Sequence, residues 1–428
     1  MTGRTLDAGY EELASRFADS YPARRPRHTV GRECEFPLVD AAGRAGDHAL
    51  LWPALAGGRT VLRDPGIDGR GFEIGVEASR WFAVAEVGRG TVEIGVGPRR
   101  SLVELSADLD EALEFVGGSV SHTGQRLLGL GIQPRTPPSW TLMTPKVRYE
   151  ALARRIPGWL RWGVTASDQV HVRLGRREIV TAMNAINACS GALIALCSNS
   201  SVYGGRPGAA CGREALGAGV TGESFRNGAV PRRFSDLEDY VRWTAGLRCL
   251  ILPDGRGGFL RPRGTYEDRL RRSGVNWNEY LFHEHYCWPS ARPRARLGTL
   301  EIRPACQQPG GSFAAAALAV GLVERADAVM GFIEDALGAS SWRRLLTYRR
   351  LAIRHGPAAP EPAVGFLSGL VDLAARGLDD RGLGEGPMLD EIRERLTRRR
   401  GPADEAMAIY RGGGVDALVA ARTLPPRS

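Results

Sequence analysis

The stretch "VGRECEFPLVD", residues 30–40, sets two carboxylates, Glu33 and Glu35, two positions apart in a run that otherwise reads as β-strand. Side chains alternate across a strand, so the two acids share one face while Cys34, Phe36 and Leu38 share the other. One such strand decides little, because an antiparallel sheet with a wet face alternates in this way routinely. The pattern recurs three times. In 164–174, Thr165, Ser167, Gln169, His171 and Arg173 oppose Val164, Ala166, Val170, Val172 and Leu174, with Asp168 the exception. In 298–303, Thr299, Glu301 and Arg303 oppose Leu300 and Ile302; in 91–96, Thr91 and Glu93 oppose Val92 and Ile94. The polar choices are carboxylate, imidazole, amide and guanidinium, where a solvated face ordinarily carries Thr, Lys and Ser.

Carboxylates gathered on one face repel one another and need a counter-charge. Hard divalent cations with oxygen ligands supply it, and Mg²⁺ held by carboxylates plus substrate phosphates is a common arrangement. Such ions beside arginines suit phosphoryl transfer, since both neutralise charge on the moving group. The polar face therefore points to an ATP site that uses no P-loop lysine.

Composition supports this and excludes alternatives. The 428 residues are 43% hydrophobic and 25% charged, as in a globular protein. The net charge is +9, and Lys146 is the only lysine, so no P-loop lysine follows a glycine loop and a Schiff base could form only there. The arginines are spread along the chain, which argues against a nucleic-acid partner. Seven cysteines without a CxxC pair indicate neither a disulfide scaffold nor a zinc ribbon. The first residues carry acids and no apolar core, unlike a signal peptide, so a cytoplasmic location is expected. The apolar stretch 181–198 contains Asn184, Asn187 and Ser190 and reads as one buried helix, with no membrane span.

Along the chain, an amphipathic helix over 7–20 precedes the first strand. "SRWFAVAEV" and "GTVEIGV" form a hairpin around "GRG". A serine-capped helix covers 101–116, a strand 162–175, a Gly-rich segment 204–230 and a strand 295–305. From 313 the pattern is helical. Strands and helices do not alternate regularly, so the expected class is α+β: an antiparallel sheet flanked by helices, with residues 1–312 as the core and 313–428 as a helical segment packed on it.

These motifs together resemble glutamate–cysteine ligase family 2, the plant-type glutamate–cysteine ligases and their carboxylate–amine ligase relatives. The matching runs are "GRECEF" (31–36), "VAEVGRGTVEIG" (84–95), "KVRY" (146–149), "TASDQVHV" (165–172), "SNSSVYGGR" (198–206) with "GRE" (212–214), "WPSARPR" (288–294) and "LEIRPACQQPG" (300–310), in family order. The resemblance implies a saddle-shaped antiparallel sheet akin to the glutamine synthetase catalytic domain. It implies an ATP-dependent ligase that joins the L-glutamate γ-carboxylate to the amine of a second amino acid through γ-glutamyl phosphate. It implies Glu33, Glu35, Glu86, Glu93, His171 and Glu301 as ligands of two or three Mg²⁺ ions, with Mn²⁺ as a substitute. Arg303 is implied at the transferring phosphoryl group and Arg213 at the glutamate carboxylate. Arg292, Gln169, Tyr149 and Cys306 are further substrate-binding candidates. Glu73 and Glu77 compete with Glu86 for its role, and "GRPGAACGR" reads as a mobile loop over the site.

Three departures bear on the acceptor. Relatives usually carry aspartate where this chain has Cys306, small hydroxylic residues where it has "HEHYCWP" (283–289), and proline where it has Ser201. A pocket group shifts preference by roughly 1–3 kcal/mol, so cysteine and a small apolar or non-proteinogenic amino acid such as propargylglycine stand as rival acceptors. Two other classes stay open: a phosphotransferase of the same superfamily, and a non-catalytic nucleic-acid binder. Oligomeric state is not encoded in any of these features.

Overall fold

The computed structural model describes residues 3–425. Its centre is a nine-stranded sheet. The strands are β1 (Val30–Val39), β2 (Thr60–Asp64), β3 (Phe72–Glu77), β4 (Trp81–Ala85), β5 (Thr91–Arg99), β6 (Arg126–Leu127), β7 (Ser167–Arg173), β8 (Ala291–Arg294) and β9 (Thr299–Cys306). They lie in the order β8-β9-β7-β1-β5-β4-β3-β2, with the short β6 also on β1, and every pairing is antiparallel. The fold is α+β, with helices flanking a large antiparallel sheet.

The alternation read in the sequence divides this sheet into two faces. Cys34, Phe36, Leu38, Val92, Ile94, Val170, Val172, Leu300 and Ile302 are all buried on one side. Helices cover that side because each presents an apolar stripe to it. Leu102–His122 lies on β4 and β5, Ala314–Glu324 on β7, and Ser190–Cys197 on β9. The first of these starts at Ser101, whose hydroxyl accepts from the Glu104 N–H while Glu104 returns the bond, a capping box.

Asp168, the misfit of the sequence pattern, faces the apolar side with a partner. Arg32 on β1 meets it there through paired bonds of 2.7 Å, and Arg32 also donates to the carbonyls of Gly311 (3.1 Å) and Ser312 (2.7 Å). An ion pair thus joins β1, β7 and the entry to the helices that follow.

Three local expectations change. The strand over 162–175 is shorter at its start, because Pro157–Val164 forms a 3-10 helix. Pro157 fixes φ for a helical start, and Gly163 packs backbone to backbone on Gly88 in the turn between β4 and β5. A Cβ at Gly88 would fall 1.9 Å from the Gly163 carbonyl oxygen. The single helix over 181–198 is two, Ile179–Ala188 and Ser190–Cys197, bent by 53°. Next to the bend the Asn187 amide is committed to β8, donating to the Ala291 carbonyl (2.9 Å) and accepting its N–H (3.0 Å). The N-terminal helix runs from Gly3 to Asp19.

Helices continue from Ala314 to Arg422 with short breaks. Residues 1–2 and 426–428 of the two segments expected from the sequence lie outside the described residues. Among the described residues no single helix is long and apolar enough to cross a membrane. The bent pair passes that test by length and composition only, and its residues belong to the core.

Candidate active site

The polar face of the sheet forms the floor of a cavity of about 290 Å³. Strand register, not sequence proximity, assembles it. Glu35 on β1 is opposite Glu93 on β5, Glu33 is opposite Gln169 on β7, His171 is opposite Glu301 on β9, and Glu301 is opposite Arg292 on β8. Residues directly opposite on one face have their Cβ atoms about 5 Å apart, so the four strands bring their polar groups into one continuous patch. Glu86 joins from the turn after β4, where its N–H reaches the Thr91 carbonyl (3.5 Å) and its carbonyl accepts from the Thr144 hydroxyl (2.5 Å).

One end is acidic. Single oxygens of Glu35, Glu86 and Glu93 lie within 4.8 Å of one another. Glu35 accepts from the Ser167 N–H (2.7 Å) and the Gln169 amide (2.9 Å), and Glu86 accepts from the Val87 N–H (2.9 Å). Burial, then the neighbouring Glu86 carboxylate, pushes Glu35 up to about 7. Burial and the charges of Glu33, Glu86 and Glu35 raise Glu93 well above the usual carboxylate range. Three oxygen donors that repel one another in this way fit a hard divalent cation.

The other end mixes acid and base. Glu33 Oε1 sits 3.2 Å from His171 Nε2, and His171 Nδ1 is 3.1 Å from the Thr299 hydroxyl. Burial opposes ionisation of Glu33, but the adjacent imidazole holds its carboxyl below the ordinary value. Glu301 is surrounded by arginines. Arg292 donates to both its oxygens (2.8 and 3.0 Å), Arg294 Nε lies 3.2 Å away, and Arg303 bonds both Glu301 and Gln169. Although burial works against it, Arg292, Arg303 and Arg294 hold Glu301 well below the ordinary range.

Most candidate residues named from sequence meet here. Glu33, Glu35, Glu86, Glu93, His171, Glu301, Arg303, Arg213, Arg292, Gln169 and Tyr149 all line the cavity. Arg213 is 3% exposed; it bonds Glu214 (2.7 Å), and its Nε has no partner among the described residues. Cys306 does not line the cavity, so a direct substrate contact is corrected. It lies at the end of β9, fully buried, with Sγ 3.3 Å from the Ser200 hydroxyl and 3.6 Å from Cys211 Sγ. Glu73 and Glu77 on β3 are also outside it, and Glu73 pairs with Arg63 (3.6 Å). The glycine-rich loop is pinned near Cys211, whose N–H donates to the Ile353 carbonyl (2.9 Å).

The "HEHYCWP" run, expected near the acceptor, contributes His285, Tyr286 and Trp288 to the lining, whereas Lys146, Arg148, Trp159 and Trp162 line the cavity without having been named as site residues from sequence. Lys146 donates to the Ala85 carbonyl (2.7 Å), and burial followed by the charge of Arg148 lowers its amine to about 8. The "KVRY" run carried the signal for two of these. The strand expected over 162–175 hid Trp162, and nothing in the pattern singled out Trp159.

Acids and arginines share one face of an antiparallel sheet beside a wall of aromatic side chains, a lining whose chemistry suits a polyanion with divalent ions. The chain belongs to glutamate–cysteine ligase family 2, whose sequence pattern it matches over residues 29–421. Among curated proteins it is similar to "Putative glutamate--cysteine ligase 2-3" of Rubrobacter xylanophilus, 28% identical over 68% of each chain. It is also similar to "Putative glutamate--cysteine ligase 2-2" of Rhodococcus jostii, 28% identical over 65% of this chain and 62% of that one. Among solved structures, the fold matches glutamate–cysteine ligase from Francisella tularensis in complex with AMP. The TM-score is 0.55 at 11% identity, covering 94% of this chain and 89% of that one.

Proposed function

We propose that the protein is an ATP-dependent γ-glutamyl–amino acid ligase, a carboxylate–amine ligase acting on L-glutamate. The observation that carries this is the register that gathers Glu33, Glu35, Glu93, His171 and Glu301 from four strands onto one face beside Arg292 and Arg303. Family membership and the names of the curated relatives support the glutamate and ligase parts, and the AMP in the related fold supports ATP as the co-substrate.

A γ-carboxylate is a poor electrophile because its leaving group would be oxide. In the proposed reaction its oxygen attacks the ATP γ-phosphorus, the bond to ADP breaks, and γ-glutamyl phosphate forms. The acceptor nitrogen then attacks the acyl carbon, phosphate leaves, and the amine gives up a proton. Arg303, which faces the cavity from its bonds to Glu301 and Gln169, would exchange one of them for a phosphoryl oxygen and neutralise charge in the first step. Arg213, with an unpartnered Nε, binds the glutamate α-carboxylate bidentately. Gln169 holds both Glu35 and Arg303, fixing the acid end relative to the arginine end. Glu35, Glu86 and Glu93 would hold one Mg²⁺ or Mn²⁺ ion, and Glu33, His171 and Glu301 another. When bound, the ions polarise phosphate oxygens.

The acceptor is an α-amino acid, with cysteine and a small apolar residue such as propargylglycine as the sequence-based candidates. In this reading residues 1–312 and 313–428 act as one structural unit, since Ala314–Glu324 packs on β7 behind the site; the location is the cytoplasm. Glu35→Gln tests the proposal. ADP release that requires both glutamate and Mg²⁺ should disappear while the circular dichroism spectrum is kept. Normal turnover in that variant would remove the acid end from the reaction.

A further inference from the structure

Beside the acids, the cavity has a wall that the ligase chemistry does not use. Tyr149, Trp159, Trp162, Tyr286 and Trp288 line it. Their rings pack edge on face and tilted, with centroids 5.7 Å apart for Tyr149 and Trp159, 5.9 Å for Trp159 and Trp288, 6.1 Å for Trp162 and Trp288, and 5.9 Å for Tyr286 and Trp288. The 3-10 helix Pro157–Val164 carries the first two tryptophans, and the Gly88–Gly163 contact fixes that helix against the turn bearing Glu86. The wall is therefore built onto the acid end of the site.

Two features describe what it would take. Trp159 Nε1, Trp162 Nε1 and the Tyr286 hydroxyl are buried donors with no partner among the described residues. A buried donor left unpaired costs about 1–3 kcal/mol, so a ligand that carries lone pairs would relieve them. The Arg148 guanidinium stacks over Tyr149 at 4.9 Å and the Lys146 amine lies over the same ring at 5.1 Å. These cations already occupy the aromatic face that a positively charged side chain would seek, and would repel it.

Resting on the ligase reading, we infer that the second substrate is an amine with a neutral aromatic side chain, whose ring seats against Trp159 and Trp288 and whose ring substituent accepts a hydrogen bond. Aromatic pairs at these separations gain beyond simple burial. Cysteine or propargylglycine would leave much of the wall uncovered. The "HEHYCWP" run (283–289) supplies Tyr286 and Trp288 to the wall.

The test supplies ATP, Mg²⁺ and glutamate with tyrosine, phenylalanine, cysteine, alanine or propargylglycine, measures ADP, and weighs the products. The expected result is a kcat/KM for tyrosine and phenylalanine at least tenfold above the other three. Trp159→Leu and Trp288→Leu should raise KM for tyrosine at least tenfold, with KM for ATP and glutamate within about twofold. Because those variants also remove packing, Tyr286→Phe serves as a second probe: it keeps the ring and should erase any preference for tyrosine over phenylalanine. Preference for cysteine or propargylglycine, or a rise in KM for ATP instead, would overturn the inference and leave the ligase reading standing. If no amine gives an amide, the ligase reading falls; quenching of tryptophan fluorescence by phenylalanine then judges the wall alone, and its absence overturns this inference too.

Discussion

Arg32 Nε and Nη2 donate to Asp168 Oδ1 and Oδ2, both at 2.7 Å, and neither side chain reaches solvent. The pair sits on the apolar side of β1 and β7, behind Glu33 and Gln169. Removing one partner leaves a charge buried without compensation. Asp168→Ala should therefore cost about 3–5 kcal/mol, whereas replacing both residues by Met and Leu should recover most of that loss. Urea denaturation measures both. A loss under about 1 kcal/mol in the single variant would contradict the account.

Glu93 is held above the normal range by burial and by Glu33, Glu86 and Glu35, so relieving the repulsion should help the metal-free protein. In EDTA, Glu93→Gln is expected to melt at or above the wild-type temperature. Adding Mg²⁺ alone should then raise the melting temperature of the wild type and not of the variant. An equal Mg²⁺ response in both would separate Glu93 from the ion.

Arg303 bonds Glu301 and Gln169 in the protein without substrate and faces the cavity. A lysine there keeps a charge but not the planar fork. Arg303→Lys should lower kcat by about 10²–10³ with KM for glutamate within about threefold, the signature of an interaction made in the transition state. Loss confined to KM would assign it to ground-state binding.

His28 precedes β1 and bridges Glu178 (3.1 Å) and Glu324 (2.9 Å). Burial alone would lower its pKa, but bonds to the two carboxylates outweigh this and raise it to about 9. The folded state therefore keeps the proton longer than the unfolded chain, whose histidine titrates near 6.5. The stabilisation is complete below pH 6.5 and is lost as pH rises through 9, on the order of 3 kcal/mol. His28→Gln should flatten that part of the stability–pH curve. An unchanged slope between pH 6.5 and 9 would refute the assignment.

Alternation made the site legible. Because side chains repeat every two residues, Glu33 with Glu35, Gln169 with His171, and Glu301 with Arg303 could each be put on one face before any partner strand was known. What alternation cannot supply is which strands are neighbours, so the Glu35–Glu93 and His171–Glu301 juxtapositions came from the family resemblance. Asp168 stood out but its partner did not, since Arg32 lies on a distant strand and shares a face with Cys34. Trp162 was hidden for a different reason: it opens a run that alternates like a strand, whereas the chain enters β7 through the 3-10 helix Pro157–Val164, which also carries Trp159. Cys306 was named from the resemblance alone: β9 shifts register between Ile302 and Ala305 so that Cys306 pairs with Ser167, at the end of the strand beyond the residues that line the cavity.

Lys146, the chain's single lysine, is 5% exposed and holds its nitrogen against the Ala85 carbonyl. Arginine carries the rest of the cationic surface, and a guanidinium remains protonated and does not acylate readily. A mixed anhydride escaping from the site would thus meet no lysine on the exterior able to capture it. By the same logic, an amine-selective ester should find its one side-chain target inside the substrate cavity, where saturating substrate would shield it.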